Sequence, residues 1–69
     1  MLIETMYDMG LAIRQQREKL GLTQEQLALK AGVSRSWLAK VETGKMSFDL
    51  RKVLMVLDAM GLRLEVEDA

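Results

Sequence analysis

Between Thr23 and Gly44 the chain reads TQEQLALKAGVSRSWLAKVETG, and the helix starts and stops in that run leave it little freedom in folding. Thr23 stands three residues before Gln26, the capping-box spacing in which a hydroxyl accepts from the first unpaired backbone donors of a helix. Leu27, Ala28 and Ala31 then share one face at helical spacing. Gly32 can end that helix with a positive φ at little cost. Ser34 is a second N-cap, in front of Leu38 and Val41 three apart. The run therefore predicts two short helices joined by a tight turn at Gly32, with apolar Val33 pointing back to the core and Gly44 stopping the second helix.

Two helices at that separation, the second with polar and basic residues on one side, read as a helix-turn-helix over 23–43 that sets its second helix in the major groove of DNA. The residues also resemble a family. Ile13-Arg14, Arg17, Gly21-Leu22-Thr23-Gln24, Leu27-Ala28, Ala31-Gly32-Val33-Ser34, Leu38, Glu42 and Gly44-Lys45 follow in turn the pattern of the Cro and lambda-repressor type of helix-turn-helix, the Xre family. That resemblance implies an all-α fold: a four- to five-helix lambda-repressor-like DNA-binding domain.

With 69 residues the chain makes one domain over 1–69. A chain so short buries only about 60% of its unfolded surface, so association with a second copy would help it. It has no cysteine, which rules out disulfides and thiolate metal sites and suits a reducing cytoplasm. No apolar run approaches the length of a signal peptide or membrane span, so we expect a cytoplasmic protein without a membrane partner. Formal net charge is zero, but its distribution is uneven. From Lys30 to Lys52 six cations face two anions, whereas from Val53 onward Arg63 alone faces Asp58, Glu65, Glu67 and Asp68. One end of the molecule is cationic, as a phosphate-facing surface requires.

Met1 to Leu20 read as the first helix, with Met6, Met9, Ile13 and Leu20 forming its apolar stripe. Gly10 interrupts it at a cost of about 1 kcal/mol relative to alanine, which points to a close helix contact. Arg17 falls on or beside the stripe and needs a partner if buried. The Xre resemblance implies that partner to be Glu42, in an ion pair tying the first helix to the recognition helix. A short loop from Gly44 to Ser47 leads to a fourth helix, Phe48 to Met60. Either Ser47 caps it with Asp49 in its first turn, or Asp49 caps it with Phe48 and Val53 as a hydrophobic staple. Leu50, Val53, Leu54, Leu57 and Met60 form its expected buried stripe, leaving Met55 and Val56 exposed for contact with a second chain.

After Gly61 the run Leu62-Arg63-Leu64-Glu65-Val66 alternates apolar and charged residues, a β-strand pattern. A lone strand must pair its backbone with something, and the simplest partner is the same strand of a second copy, antiparallel about a twofold axis. With Leu64 on the axis, Arg63 faces Glu65 and Leu62 faces Val66, clasping a homodimer. The alternative is a frayed acidic tail. This ending resembles the HipB-like antitoxins, small dimeric repressors encoded beside a kinase toxin of the HipA type, over Arg17 to Val66.

The chain has no histidine, so imidazole acid–base catalysis and the usual zinc sites are excluded; no phosphate-cradling glycine loop is present. Glu65, Glu67 and Asp68 read as a solvated edge rather than a metal site. We expect no enzyme, cofactor or metal. The candidate base readers are Ser34, Arg35 and Ser36, which open the recognition helix, with Lys40 further along and Trp37 beside them. Arg35 leads, because a guanidinium can bond O6 and N7 of one guanine together. Thr23, Gln24 and Lys45 are the candidate phosphate contacts. Trp37 departs from the family, which has a small or polar residue there; its ring packs either on a sugar or thymine methyl, or against Val41 at the core rim, the placement we favour.

The sequence thus predicts a repressor that binds a palindromic double-stranded DNA operator as a dimer, controls its own operon and acts as the antitoxin of a HipA-type toxin. The alternatives are a phage-type repressor without a toxin and a protein-interaction module on the same fold.

Overall fold

The computed structural model of the chain describes residues 1–45 and 49–69. Four helices follow in order: α1 Met6–Lys19, α2 Gln24–Ala31, α3 Arg35–Glu42 and α4 Leu50–Ala59. The two middle helices lie where their caps predict. Thr23 Oγ1 accepts from the Gln26 N–H at 3.0 Å while the Gln26 side chain accepts from the Thr23 N–H at 2.8 Å. At the far end Gly32 adopts φ 76°, and the N–H groups of Gly32 and Val33 both reach the Ala28 carbonyl. That left-handed residue re-aims the chain within three positions, so α3 starts directly on Ser34, whose Oγ accepts from the Trp37 N–H at 3.0 Å.

α1 is shorter than expected. It begins at Met6 because Thr5 and Asp8 form a capping box, with Thr5 Oγ1 accepting from the Asp8 N–H and the Asp8 carboxylate accepting from the Thr5 N–H, each at 3.1 Å. Residues 1–4 therefore precede the helix. Leu20 caps the other end and stands 46% exposed, so it leaves the apolar stripe; Met9 and Ile13 remain buried and Met6 is half-buried. Gly10 lies where α1 crosses α3, and a β-carbon there would overlap the Val41 carbonyl oxygen and sit 3.0 Å from that of Glu42. Only a hydrogen fits between these helices.

α4 starts on Asp49, whose carboxylate accepts from the Lys52 N–H at 3.2 Å. The expected helix start at Phe48, the Ser47 cap and the Phe48–Val53 staple lie outside the described residues. The buried face of α4 is Val53, Val56, Leu57 and Met60, not the stripe expected. Val56 is fully buried, whereas Leu50 and Leu54 are exposed, because the face turned to α2 is centred on Val53 and Leu57 and includes the residue three beyond Val53. Ile13, Leu27, Leu38, Val53 and Val56, drawn from all four helices, are the most deeply buried side chains of one core.

Beyond α4 the Leu62 N–H donates to the Leu57 carbonyl at 2.9 Å, and Leu62 packs half-buried against the core. The expected strand Leu62–Val66 does not form within the chain: Arg63, Leu64, Glu65 and Val66 have no regular structure, and no strand occurs among the described residues. The reason is elementary. A strand is defined by a partner's hydrogen bonds, and the described residues of one copy contain no second strand to supply them.

Candidate nucleic-acid interface

α3 is amphipathic in a way that separates two tasks. Trp37, Leu38, Val41 and Glu42 are buried, while Ser34, Arg35, Ser36 and Lys40 are exposed. Ser36 and Lys40 lie four apart on one face and Arg35 stands beside Ser36 at the helix start, so the exposed face opens with three polar residues at the N-terminal end. Among the described residues Arg35, Lys40 and Lys45 take part in no ion pair. Ser34 Oγ already accepts from the Trp37 N–H, leaving its own O–H to donate outward.

The inner side of α3 is tied to α1. Arg17 Nε and Nη2 donate to Glu42 Oε2 at 2.7 Å and Oε1 at 3.0 Å, a two-pronged pair, and Nη1 donates to the Leu22 carbonyl at 2.8 Å. The Glu42 side chain is only 2% exposed and that of Arg17 12%. Hydrogen bonding to Glu42 raises the Arg17 pKa above its ordinary value; burial opposes the shift, and the charges of Glu42 and Glu18 add to it. Gln24 joins the same cluster, its Nε2 donating to Glu42 Oε1 at 3.1 Å. Sequence reasoning had this side chain facing a phosphate. One of the two Nε2 hydrogens of Gln24 is thus engaged with Glu42; its other hydrogen, the backbone donors at the start of α2 and the Thr23 hydroxyl remain as donors an anion could meet.

Trp37 is 6% exposed, with its ring in the core cluster. That removes it from the base readers and places it inward, as its spacing four before Val41 implies. Lys52 of α4 stands over this ring, Nζ 5.5 Å from the centroid, a cation–π contact that joins α3 to α4. Sequence reasoning counted Lys52 only as a surface charge. No local pattern announces a contact between residues so far apart, so nothing in the sequence could have found it. Among the described residues no three His, Cys, Asp or Glu side chains converge to hold a metal, and no helix is long and apolar enough to cross a membrane.

A family model described as Helix-turn-helix matches residues 13–66. The chain is 34% identical over 64 residues to an uncharacterized HTH-type transcriptional regulator, y4mF, of Sinorhizobium fredii, covering 93% of this chain and 84% of that protein. It is 41% identical over 56 residues to an uncharacterized HTH-type transcriptional regulator of Methanothermobacter thermautotrophicus, covering 81% and 80%. Among solved structures, the restriction-modification controller protein C.AhdI of Aeromonas hydrophila superposes with a TM-score of 0.79 at 31% identity, over 84% of this chain and 88% of that one. A chain of the HipA-HipB-O2-O3 complex shares the fold with a TM-score of 0.87 at 22% identity, over 99% and 96%. The chain belongs to the helix-turn-helix family of Xre-type transcriptional regulators.

Proposed function

We propose that this protein is a sequence-specific repressor that binds a palindromic DNA operator as a dimer, with α3 in the major groove. The observation that carries the reading is the exposed N-terminal face of α3: Ser34, Arg35 and Ser36 are exposed on a helix whose other side is held by the core and by the Arg17–Glu42 pair. In this reading Arg35 bonds a guanine edge, Lys40 reaches a base or phosphate, and Thr23, the α2 backbone donors and Lys45 hold phosphates. The narrower proposal is a cytoplasmic antitoxin that represses its own operon and neutralises a HipA-type kinase toxin. It is supported by the short fourth helix, by the alternating segment 62–66 and by the fold shared with a chain of the HipA-HipB-O2-O3 complex.

Selection of genomic fragments by the purified protein at near-physiological salt tests both. An inverted repeat upstream of its own gene is the expected result, and the adjacent reading frame then reveals whether a kinase is encoded there. Recovery of no sequence by folded, dimeric protein would sink the repressor reading. It would favour a protein-binding module, to which the exposed Leu50 and Leu54 on α4 are suited.

A further inference from the structure

Two residues mark the two flanks of α3. Glu42 is bonded to the start of α2 through Gln24, and Trp37 lies under Lys52 of α4. Both border the buried face of α3, about 140° apart around its axis, and Ser36 and Lys40 occupy the solvent side of the arc between them. The start of α2 and the first turn of α4 therefore stand on opposite sides of the exposed face. Trp37 belongs to the first turn of α3, so Lys52 borders that face at the end where Arg35 and Ser36 open it. Lys52 and Arg51 also share a cleft with Gly32, at the turn between α2 and α3. Asp49, the carboxylate of that cleft, is turned onto the Lys52 N–H as the cap of α4. The Lys52 ammonium is exposed and takes part in no ion pair among the described residues.

We propose that Lys52, held on the Trp37 ring, is a positioning residue of the DNA interface and grips a phosphate on the strand opposite the one met by the start of α2. This rests on the DNA-binding reading above and deepens it. A helix in the major groove has a sugar-phosphate strand along each side. The start of α2 supplies donors to one of them, and Lys52 supplies a cation to the other. The ring engages the ammonium from one direction, and an ammonium carries three N–H donors, so Lys52 keeps donors for a phosphate oxygen while it stands over Trp37. The ring also fixes a long side chain in advance. A free lysine loses rotamer freedom when it grips a phosphate, whereas this one has surrendered it on folding. Such a contact carries no base information; it fixes how Arg35 approaches the base edges.

Binding of the full chain to a random-sequence DNA duplex, followed by fluorescence anisotropy across a salt series, tests the proposal, because non-specific affinity is carried by phosphate contacts. Lys52→Met keeps an apolar stem over the ring and removes the charge. It is expected to reduce the magnitude of the slope of log affinity against log salt by about 0.9 for each copy bound, and Lys52→Arg is expected to restore the slope. Lys52 is exposed, so both variants keep the fold, which circular dichroism checks. A purely structural contact with Trp37 would leave the slope untouched. A wild type that binds no duplex overturns the DNA-binding reading and this inference together. A wild type that binds while Lys52→Met keeps the same slope, or while Lys52→Arg fails to restore it, overturns the Lys52 contact alone.

Discussion

Arg17 and Glu42 show how much depends on one pair of residues. Both charges are largely withdrawn from water and satisfied by each other, by Gln24 and by the Leu22 carbonyl. Arg17→Ala leaves Glu42 buried without a counter-charge, and we expect it to cost about 3–5 kcal/mol in urea unfolding. The double variant Arg17→Met/Glu42→Leu should recover most of that loss, because the penalty lies in the unpaired charge more than in the missing attraction. If the double variant is no more stable than the single one, the pair contributes net stability of its own. The raised Arg17 pKa sets the sign of its pH dependence. Its contribution is fully present below the ordinary arginine value and is lost only as pH rises through the higher folded value. Lacking histidine, the protein should keep a constant urea midpoint between about pH 6 and 9. Arg35 makes the opposite demand on its surroundings, since it is exposed and its side chain bonds nothing among the described residues. Arg35→Ala should lower discrimination between operator and random DNA by about 1–3 kcal/mol and shift stability by less than about 0.5 kcal/mol, measured by fluorescence anisotropy and urea unfolding.

Individual helices are set by their ends. The caps at Thr23, Gly32 and Ser34 could be read from residue type and spacing because each bond spans three to five positions of the chain. The Thr5–Asp8 box was equally local but went unread, since the apolar residues before it extended the apparent helix back to Met1. Thr23→Ala should cost about 1 kcal/mol, read as a drop in melting temperature with little change in the folded spectrum. The face of α4 was harder to read. Leu50, Val53, Leu54, Met55, Val56 and Leu57 are all apolar, so the buried stripe cannot be picked out by residue type, and the neighbouring α2 decides which of them go inside. Val56 is buried and Leu54 exposed for that reason, not for any difference in hydrophobicity.

At the scale of the molecule, a body of 35 × 23 × 19 Å presents a single α3, so a palindrome with half-sites roughly 34 Å apart needs two copies. Deleting Leu62 to Ala69 should abolish the dimer in sedimentation; a truncated chain that still dimerises would place the interface elsewhere, on the exposed Leu50 and Leu54 for instance. Phosphate contacts by Lys40 and Lys45 of both copies should contribute about −4 to the slope of log affinity against log salt. Lys45→Ala should halve that contribution and weaken all sequences alike, and a slope unchanged in this variant would take Lys45 off the phosphates.

The caps that bound α2 and α3, the turn at Gly32 and the exposed polar face of α3 are properties of short stretches of chain, and the sequence by itself determined them, because capping and helical periodicity act over a few residues. Tertiary structure alone decided the inward turn of Trp37 beneath Lys52, the bond from Gln24 to Glu42, the buried face of α4 and, among the described residues, the absence of a strand to pair with Leu62–Val66. Each of these depends on which surfaces meet once the helices pack, and that is settled by the three-dimensional competition for one small core.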